Sequence, residues 1–148
     1  MRIVVQRVKE ASCEVEGKIT GACDKGFLLF IGLRFDDTLE IMEKCLKKVV
    51  GLRIFEDENN KMNKSLKDVN GNILAISQFT LYADCKHGNR PSFTEAMEYN
   101  KANEMYFKFV EMLRNEGFKV ETGVFGADMK IKLLNDGPVT IIIDSDKL

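Results

Sequence analysis

Metal ligands are scarce in this chain. Its four cysteines, Cys13, Cys23, Cys45 and Cys85, form no CxxC pair, and His87 is the sole histidine. A structural zinc site takes four nitrogen or sulfur ligands, usually from close pairs, so no metal is expected. The cysteines read as small buried hydrophobes in a reducing compartment; Cys13 and Cys23 flank a hairpin turn and could be neighbours. No apolar run approaches the ~20 residues of a membrane-spanning helix. The opening apolar stretch, Ile3-Val4-Val5, is too short for a signal peptide, so a cytoplasmic location is expected, with no membrane partner. An excess of positive charge is also missing. Lys and Arg number 22 against 23 Asp and Glu, a formal net charge of -1. That excludes a broad basic surface for gripping nucleic acid, though not a local patch. There is no GxSxG elbow, no Walker loop and no GxGxxG. Repeats, low-complexity tracts and linkers are absent too, so residues 1–148 read as one domain.

What is present alternates between β-like and helical patterns. Residues 2–8, 12–16 and 18–23 read as strands, with Glu16-Gly17-Lys18 as a turn. Gly26 to Leu33 is a continuous apolar run, as in a strand buried on both faces. Over 38–50, Leu39, Met42, Leu46, Val49 and Val50 share one helical face, behind the capping chemistry of Asp36, Asp37 and Thr38. Strands are expected at 52–56 and 73–79, with a polar turn through Asp57-Glu58-Asn59-Asn60 and a loop at 82–92. Ser92-Phe93-Thr94-Glu95 has capping-box spacing and predicts a helix of about 20 residues. Ala102, Met105, Tyr106, Phe109 and Leu113 form its apolar stripe, and Gly117 stops it. Strands at 128–134 and 139–144 close the chain; Met129, Ile131 and Leu133 alternate with Lys130 and Lys132. The order predicts an α+β fold: a curved, barrel-like, mostly antiparallel sheet system with two main helices packed outside.

Two segments carry candidate chemistry. Ser77-Gln78-Phe79-Thr80-Leu81 places hydrogen-bonding side chains at the end of an apolar run. Ser77 and Thr80 supply hydroxyls and Gln78 an amide. In an extended strand these alternate in direction, so they meet at one site only if the strand ends or bulges there. The plainer reading is that the hydroxyls satisfy backbone groups at a strand end. Asn135-Asp136-Gly137-Pro138-Val139-Thr140 puts a Gly-Pro step between β-like runs, where Pro removes a donor and Gly permits unusual angles. A Ser-His triad is poorly supported, because His87 reads as a surface loop residue. Basic residues cluster at Lys61, Lys64 and Lys67, and at Lys86, His87 and Arg90; each cluster reads as a solvated face or as a contact for a few phosphates.

Taken in order, several segments resemble the D-aminoacyl-tRNA deacylase family nearly end to end. They are Met1-Arg2-Ile3-Val4-Val5-Gln6-Arg7-Val8, Leu52-Arg53-Ile54-Phe55-Glu56-Asp57, Lys61-Met62-Asn63, and Ser77 through Asp84. Arg90-Pro91-Ser92-Phe93, Glu121 through Met129, and Asn135 to Thr140 complete the set. The resemblance implies hydrolysis of the ester that links a D-amino acid to the 3′ end of tRNA, in a homodimer and without a cofactor. It implies that Gly137-Pro138 is a cis step inserted from one subunit into the other's site, oriented with help from Arg7. It also implies that Ser77, Gln78, Phe79 and Met129 line the pocket around the amino acid and terminal adenosine. Met129 reads equally as part of its strand's core pattern. Two mechanisms stay open: Thr80 as nucleophile, or water assisted by the substrate's 2′-hydroxyl with oxyanion donors near Phe79 and Thr80. The second is preferred, because no base stands beside Thr80 in the sequence. Selection by handedness implies that glycyl-tRNA is also cleaved. Contacts to tRNA phosphates are expected to be few, at Lys86, Arg90 or the lysines of 61–67. Related proteins linked to DNA carry basic extensions; this chain ends at Leu148 without one, and no DNA partner is expected.

Overall fold

The computed structural model describes residues 1–148. One long strand organises it. β1 (Arg2–Val15) is one strand where two were expected: Val8 and Glu10 both stay paired to the last strand of the chain, with the register shifting at the exposed, unpaired Lys9 between them. Its first half pairs antiparallel with β3 (Gly26–Gly32), and its second half pairs with β2 (Lys18–Cys23). Along its other edge it pairs antiparallel with β8 (Lys130–Asp144). β6 (Asn72–Ser77) joins β3 in parallel, and β7 (Val120–Thr122) joins β6 in parallel. The sheet is therefore mixed, in the order β2-β1-β3-β6-β7 with β8 on β1.

The sheet curls until its ends nearly meet. Gly21 on β2 lies so close to the Thr122 backbone of β7 that an added Cβ would overlap the Thr122 carbonyl. The inside of the curl holds a small core of Val8, Ala11, Cys13, Cys23, Leu28, Leu74 and Ile76. The other face of β3 and β6, including Phe27, Leu29, Ile31, Ile73 and Ala75, forms the main core with both helices. Period-two alternation thus feeds two cores from one apolar run, as the reading of Gly26–Leu33 required.

Helix α1 (Leu39–Gly51) starts at Thr38, whose hydroxyl accepts from the Ile41 amide, and buries Met42, Cys45, Leu46 and Val49. Helix α2 (Tyr99–Asn115) buries Tyr106, Phe109, Val110 and Leu113. The Tyr106 hydroxyl donates to the Ala75 carbonyl at 2.8 Å, tying the helix to β6. Its cap is Glu98, which accepts from the amides of Asn100 and Lys101, and not Ser92. Ser92 is held in a reciprocal bridge with Asp84, which takes both its N–H and its carbonyl out of capping. The strand expected over 52–56 shrinks to β4 (Phe55–Glu56). It pairs with β5 (Met62–Lys64), which the sequence reading missed, in a separate two-stranded hairpin. No helix is long and apolar enough to cross a membrane.

Candidate functional site

Strand β6 stops at Ser77, two residues before the sequence pattern suggested. The Gln78 amide then donates to the Ile31 carbonyl at 2.8 Å, and Phe79–Tyr82 turn into a short 3-10 helix. This early stop resolves the alternation problem, because residues of an extended strand could not all face one side. The first bond of the turn runs from the Leu81 N–H to the Gln78 carbonyl, so the N–H groups of Phe79 and Thr80 precede the turn's own bonding.

Beside the turn is a cavity of about 550 Å³. Ser77, Gln78 and Phe79 form one wall and Met129 another. Phe93, Tyr99 and Phe125 enclose the rest, and these were not singled out in the sequence. They arrive from just after the 84–92 loop, the start of α2 and the segment before β8, so only tertiary structure joins them. Phe79 and Phe93 meet edge to face with centroids 5.0 Å apart, and Tyr99 and Phe125 do the same at 5.2 Å. Phe79 remains 55% exposed, leaving ring surface free for a ligand. Met129 is half-buried and packs on the inner core as well as lining the cavity.

Thr80 stands outside the cavity wall. It is exposed, and its hydroxyl accepts from the Gln78 side-chain amide at 2.5 Å. Neither end of an amide is a base. The cavity's one carboxylate lining residue, Asp128, is bonded to Lys130 at 2.8 Å. His87 is exposed on the 84–92 loop. Nowhere do three or more His, Cys, Asp or Glu side chains converge as metal ligands would.

The Gly137-Pro138 bond is cis. It does not break β8. The ladder passes from Gln6 opposite Thr140 to Val8 opposite Asn135, so the four residues Asp136–Val139 bulge out against Arg7 alone. Gly137 has φ of 126°, a region open to glycine, and a Cβ there would sit 2.8 Å from the Arg7 guanidinium. Arg7 is buried. Its Nε donates to the Asp136 carbonyl at 2.9 Å, and a terminal nitrogen donates to the Ile54 carbonyl at 2.6 Å. The Asn135 amide bridges the carbonyls of Arg7 and Val139, at 2.9 and 3.0 Å, closing the base of the bulge. Gly137 and Pro138 themselves are exposed and line no part of this chain's own cavity.

The chain is similar to known proteins over nearly its whole length. The family model described as D-Tyr-tRNA(Tyr) deacylase matches residues 4–144. The D-aminoacyl-tRNA deacylase of Thermotoga petrophila is 58% identical, covering 100% of this chain and 99% of the relative. That of Clostridium novyi is 56% identical, covering 99% of each. Among solved structures, the c-Myc DNA Unwinding Element Binding Protein superposes with a TM-score of 0.91 at 39% identity, over 97% of this chain and 98% of the other. A probable eukaryotic D-amino acid tRNA deacylase superposes at 0.77 with 17% identity, over 96% and 97%, a likeness of fold alone. With its family match spanning nearly every element described above, the chain belongs to the D-Tyr-tRNA(Tyr) deacylase family.

Proposed function

We propose that the aromatic cavity beside Ser77-Gln78-Phe79 binds the 3′ end of a D-aminoacyl-tRNA, and that each cavity is completed by the Gly137-Pro138 step of a partner subunit. Deacylation of D-aminoacyl-tRNA, by a hydrolase, comes with membership of the family. One observation carries the two-subunit reading. A buried arginine and an asparagine bridge hold Gly137-Pro138 in a defined bulge, yet that bulge is exposed and forms no wall of its own cavity. A structure so closely held has something to contact. Strand β8 supports this reading. It is paired only to β1 and exposes Leu133, Leu134 and Ile142, an apolar edge that a second copy would cover.

The chemistry follows from what handedness requires. D- and L-aminoacyl esters have the same atoms and differ only in where the side chain points once the ammonium and ester are fixed. A rigid backbone wall discriminates on that direction. Carbonyls of Gly137 and Pro138 aimed at the substrate would hold its ammonium and leave no room for a side chain on the L side. Glycine has no side chain to exclude, so glycyl-tRNA enters as well. For the ester itself, the N–H groups of Phe79 and Thr80, which precede the turn's own bonds, would stabilise an oxyanion. The attacking water is then assisted by the ribose 2′-hydroxyl, because no base accompanies the Thr80 hydroxyl. The enzyme's own part is positioning.

The name of the DNA-binding structural relative suggests a different partner. A net charge of -1 disfavours a broad duplex footprint here. One assay separates the alternatives: incubation with matched D- and L-aminoacyl-tRNA, glycyl-tRNA and a simple activated ester. The proposal expects loss of the D- and glycyl forms, with the L-form and the simple ester left intact. Cleavage of the L-form at a similar rate, or full resistance of glycyl-tRNA, would contradict the pocket described.

A further inference from the structure

Of the two basic clusters in the sequence, only one is electrostatically free. Across residues 57–68, Lys61, Lys64 and Lys67 are balanced by Asp57, Glu58 and Asp68. Lys64 is ion-paired to Glu58, so this hairpin presents little net field. The loop from Cys85 to Pro91 differs. It holds Lys86, His87 and Arg90, and no acidic residue occurs from Cys85 to Thr94. None of its three basic side chains is in an ion pair, and all are exposed.

The loop is also anchored. Asp84 and Ser92 bond reciprocally at its base, with N···O distances of 2.8 and 2.9 Å, and the Asp84 carboxylate accepts from the Lys86 amide at 2.9 Å. The residue that follows the bridge is Phe93, whose ring packs on Phe79 at the cavity. The positive loop is therefore fastened one residue from the rim where a substrate's terminal nucleotide would sit. Of the acids around it, Asp128 is bonded to Lys130, Glu98 to the first amides of α2 and Asp84 to the backbone of Lys86, and none is ion-paired with Lys86 or Arg90.

We infer that the Cys85–Pro91 loop is a phosphate-contacting surface. With Lys86 and Arg90 it would grip the phosphodiesters of the single-stranded RNA that leads into the cavity. This rests on the cavity being the site of the tRNA 3′ end. Lysine and arginine give charge and backbone affinity without reading base sequence, which suits an enzyme that accepts many tRNAs. Two such contacts on single-stranded RNA would contribute about 1.4 to the slope of log affinity against log salt.

The test compares two non-hydrolysable probes. One is an RNA hairpin ending in CCA that carries D-tyrosine in amide linkage. The other is 3′-D-tyrosylamino-3′-deoxyadenosine, which has no phosphate. In the double variant Lys86→Ala/Arg90→Ala, affinity for the hairpin should fall about tenfold at low salt, with a salt slope shallower by about 1.4. Affinity for the phosphate-free probe and the melting temperature should not change. Lys61→Ala/Lys67→Ala should bind both probes as the wild type does. Wild-type hairpin affinity and slope in the loop variant would overturn the inference. Failure of the wild-type protein to bind the phosphate-free probe would instead overturn the reading of the cavity.

Discussion

Arg7 is bonded to the backbone of Asp136, one residue before the Gly137-Pro138 step, while its other donor is fixed on Ile54. The guanidinium is therefore a strut between the β4 hairpin region and the bulge of β8. Replacing it with Ala leaves two carbonyls without their donor. A charged hydrogen bond of this kind is worth about 1.5–3 kcal/mol. Urea unfolding of Arg7→Ala should show a loss of about that size or more. Its preference for D over L substrate should also narrow, because the wall is no longer held. Arg7→Lys restores the charge but not the fork, and should recover stability better than selectivity.

Thr80 has a hydroxyl without a base. Its one side-chain partner is Gln78, and it lies outside the cavity wall. Thr80→Ala should keep deacylation within about tenfold of wild type in single-turnover assays, since the loss is limited to one hydrogen bond. A substrate lacking the 2′-hydroxyl should lose far more, about 100-fold or greater, as expected when a positioned acid–base group is removed. Near-complete loss in Thr80→Ala, together with normal cleavage of the deoxy substrate, would make Thr80 the nucleophile.

Arg2 holds the Phe79–Tyr82 turn. Its guanidinium donates to the Leu81 carbonyl at 2.7 Å, lies 5.0 Å from the Tyr82 ring centroid, and is held by the Asp144 carboxylate at 2.9 Å. Arg2→Ala should loosen the turn and lower kcat about tenfold or more, with a smaller change in KM. The clamp also has a pH signature. Burial acts to raise the Asp144 carboxyl, but the Asp146 amide and Arg2 outweigh it and hold it below its ordinary value of 3.8. A depressed folded value means the contribution is present above 3.8 and is lost as pH falls through the lower folded value. The stability gap between wild type and Asp144→Asn should be constant near neutrality and close in acid.

Gly21 keeps the sheet curled. A methyl group there would meet the Thr122 carbonyl on the facing backbone, which cannot swing aside as a side chain can. Gly21→Ala should cost about 1–3 kcal/mol through overpacking, read as a lowered urea midpoint. Because β7, on one side of that seam, pairs with β6, whose last residue Ser77 lines the cavity, activity should fall with stability.

Much of this was legible in the sequence where local pattern and tertiary role agree. The run from Gly26 to Leu33 and the amphipathic stretch ahead of Gly51 gave β3 and α1 within a residue or two. Local pattern misled where a long-range bond took over a residue's polar groups. Ser92 has capping-box spacing but bonds to Asp84, so α2 begins later, at Glu98. The Gly-Pro step looked like a strand break, yet β1 keeps β8 paired on both sides of it, with the register shifted across the bulge. The cavity was half visible. Ser77, Gln78 and Phe79 lie in one segment, whereas Phe93, Tyr99 and Phe125 carry no common pattern and come from three segments that meet only in the folded chain.

The central claim is that one subunit supplies the pocket and its partner supplies the wall. Subunit mixing tests this directly. Gln78→Ala/Phe79→Ala damages the pocket and keeps the Gly-Pro bulge, while Pro138→Ala does the reverse. Each alone should be inactive on D-aminoacyl-tRNA. After co-refolding, mixed dimers contain one site with an intact pocket facing an intact bulge. The account predicts that deacylation returns in the mixture, with D over L preference intact. No recovery, in mixtures shown to contain mixed dimers, would contradict it.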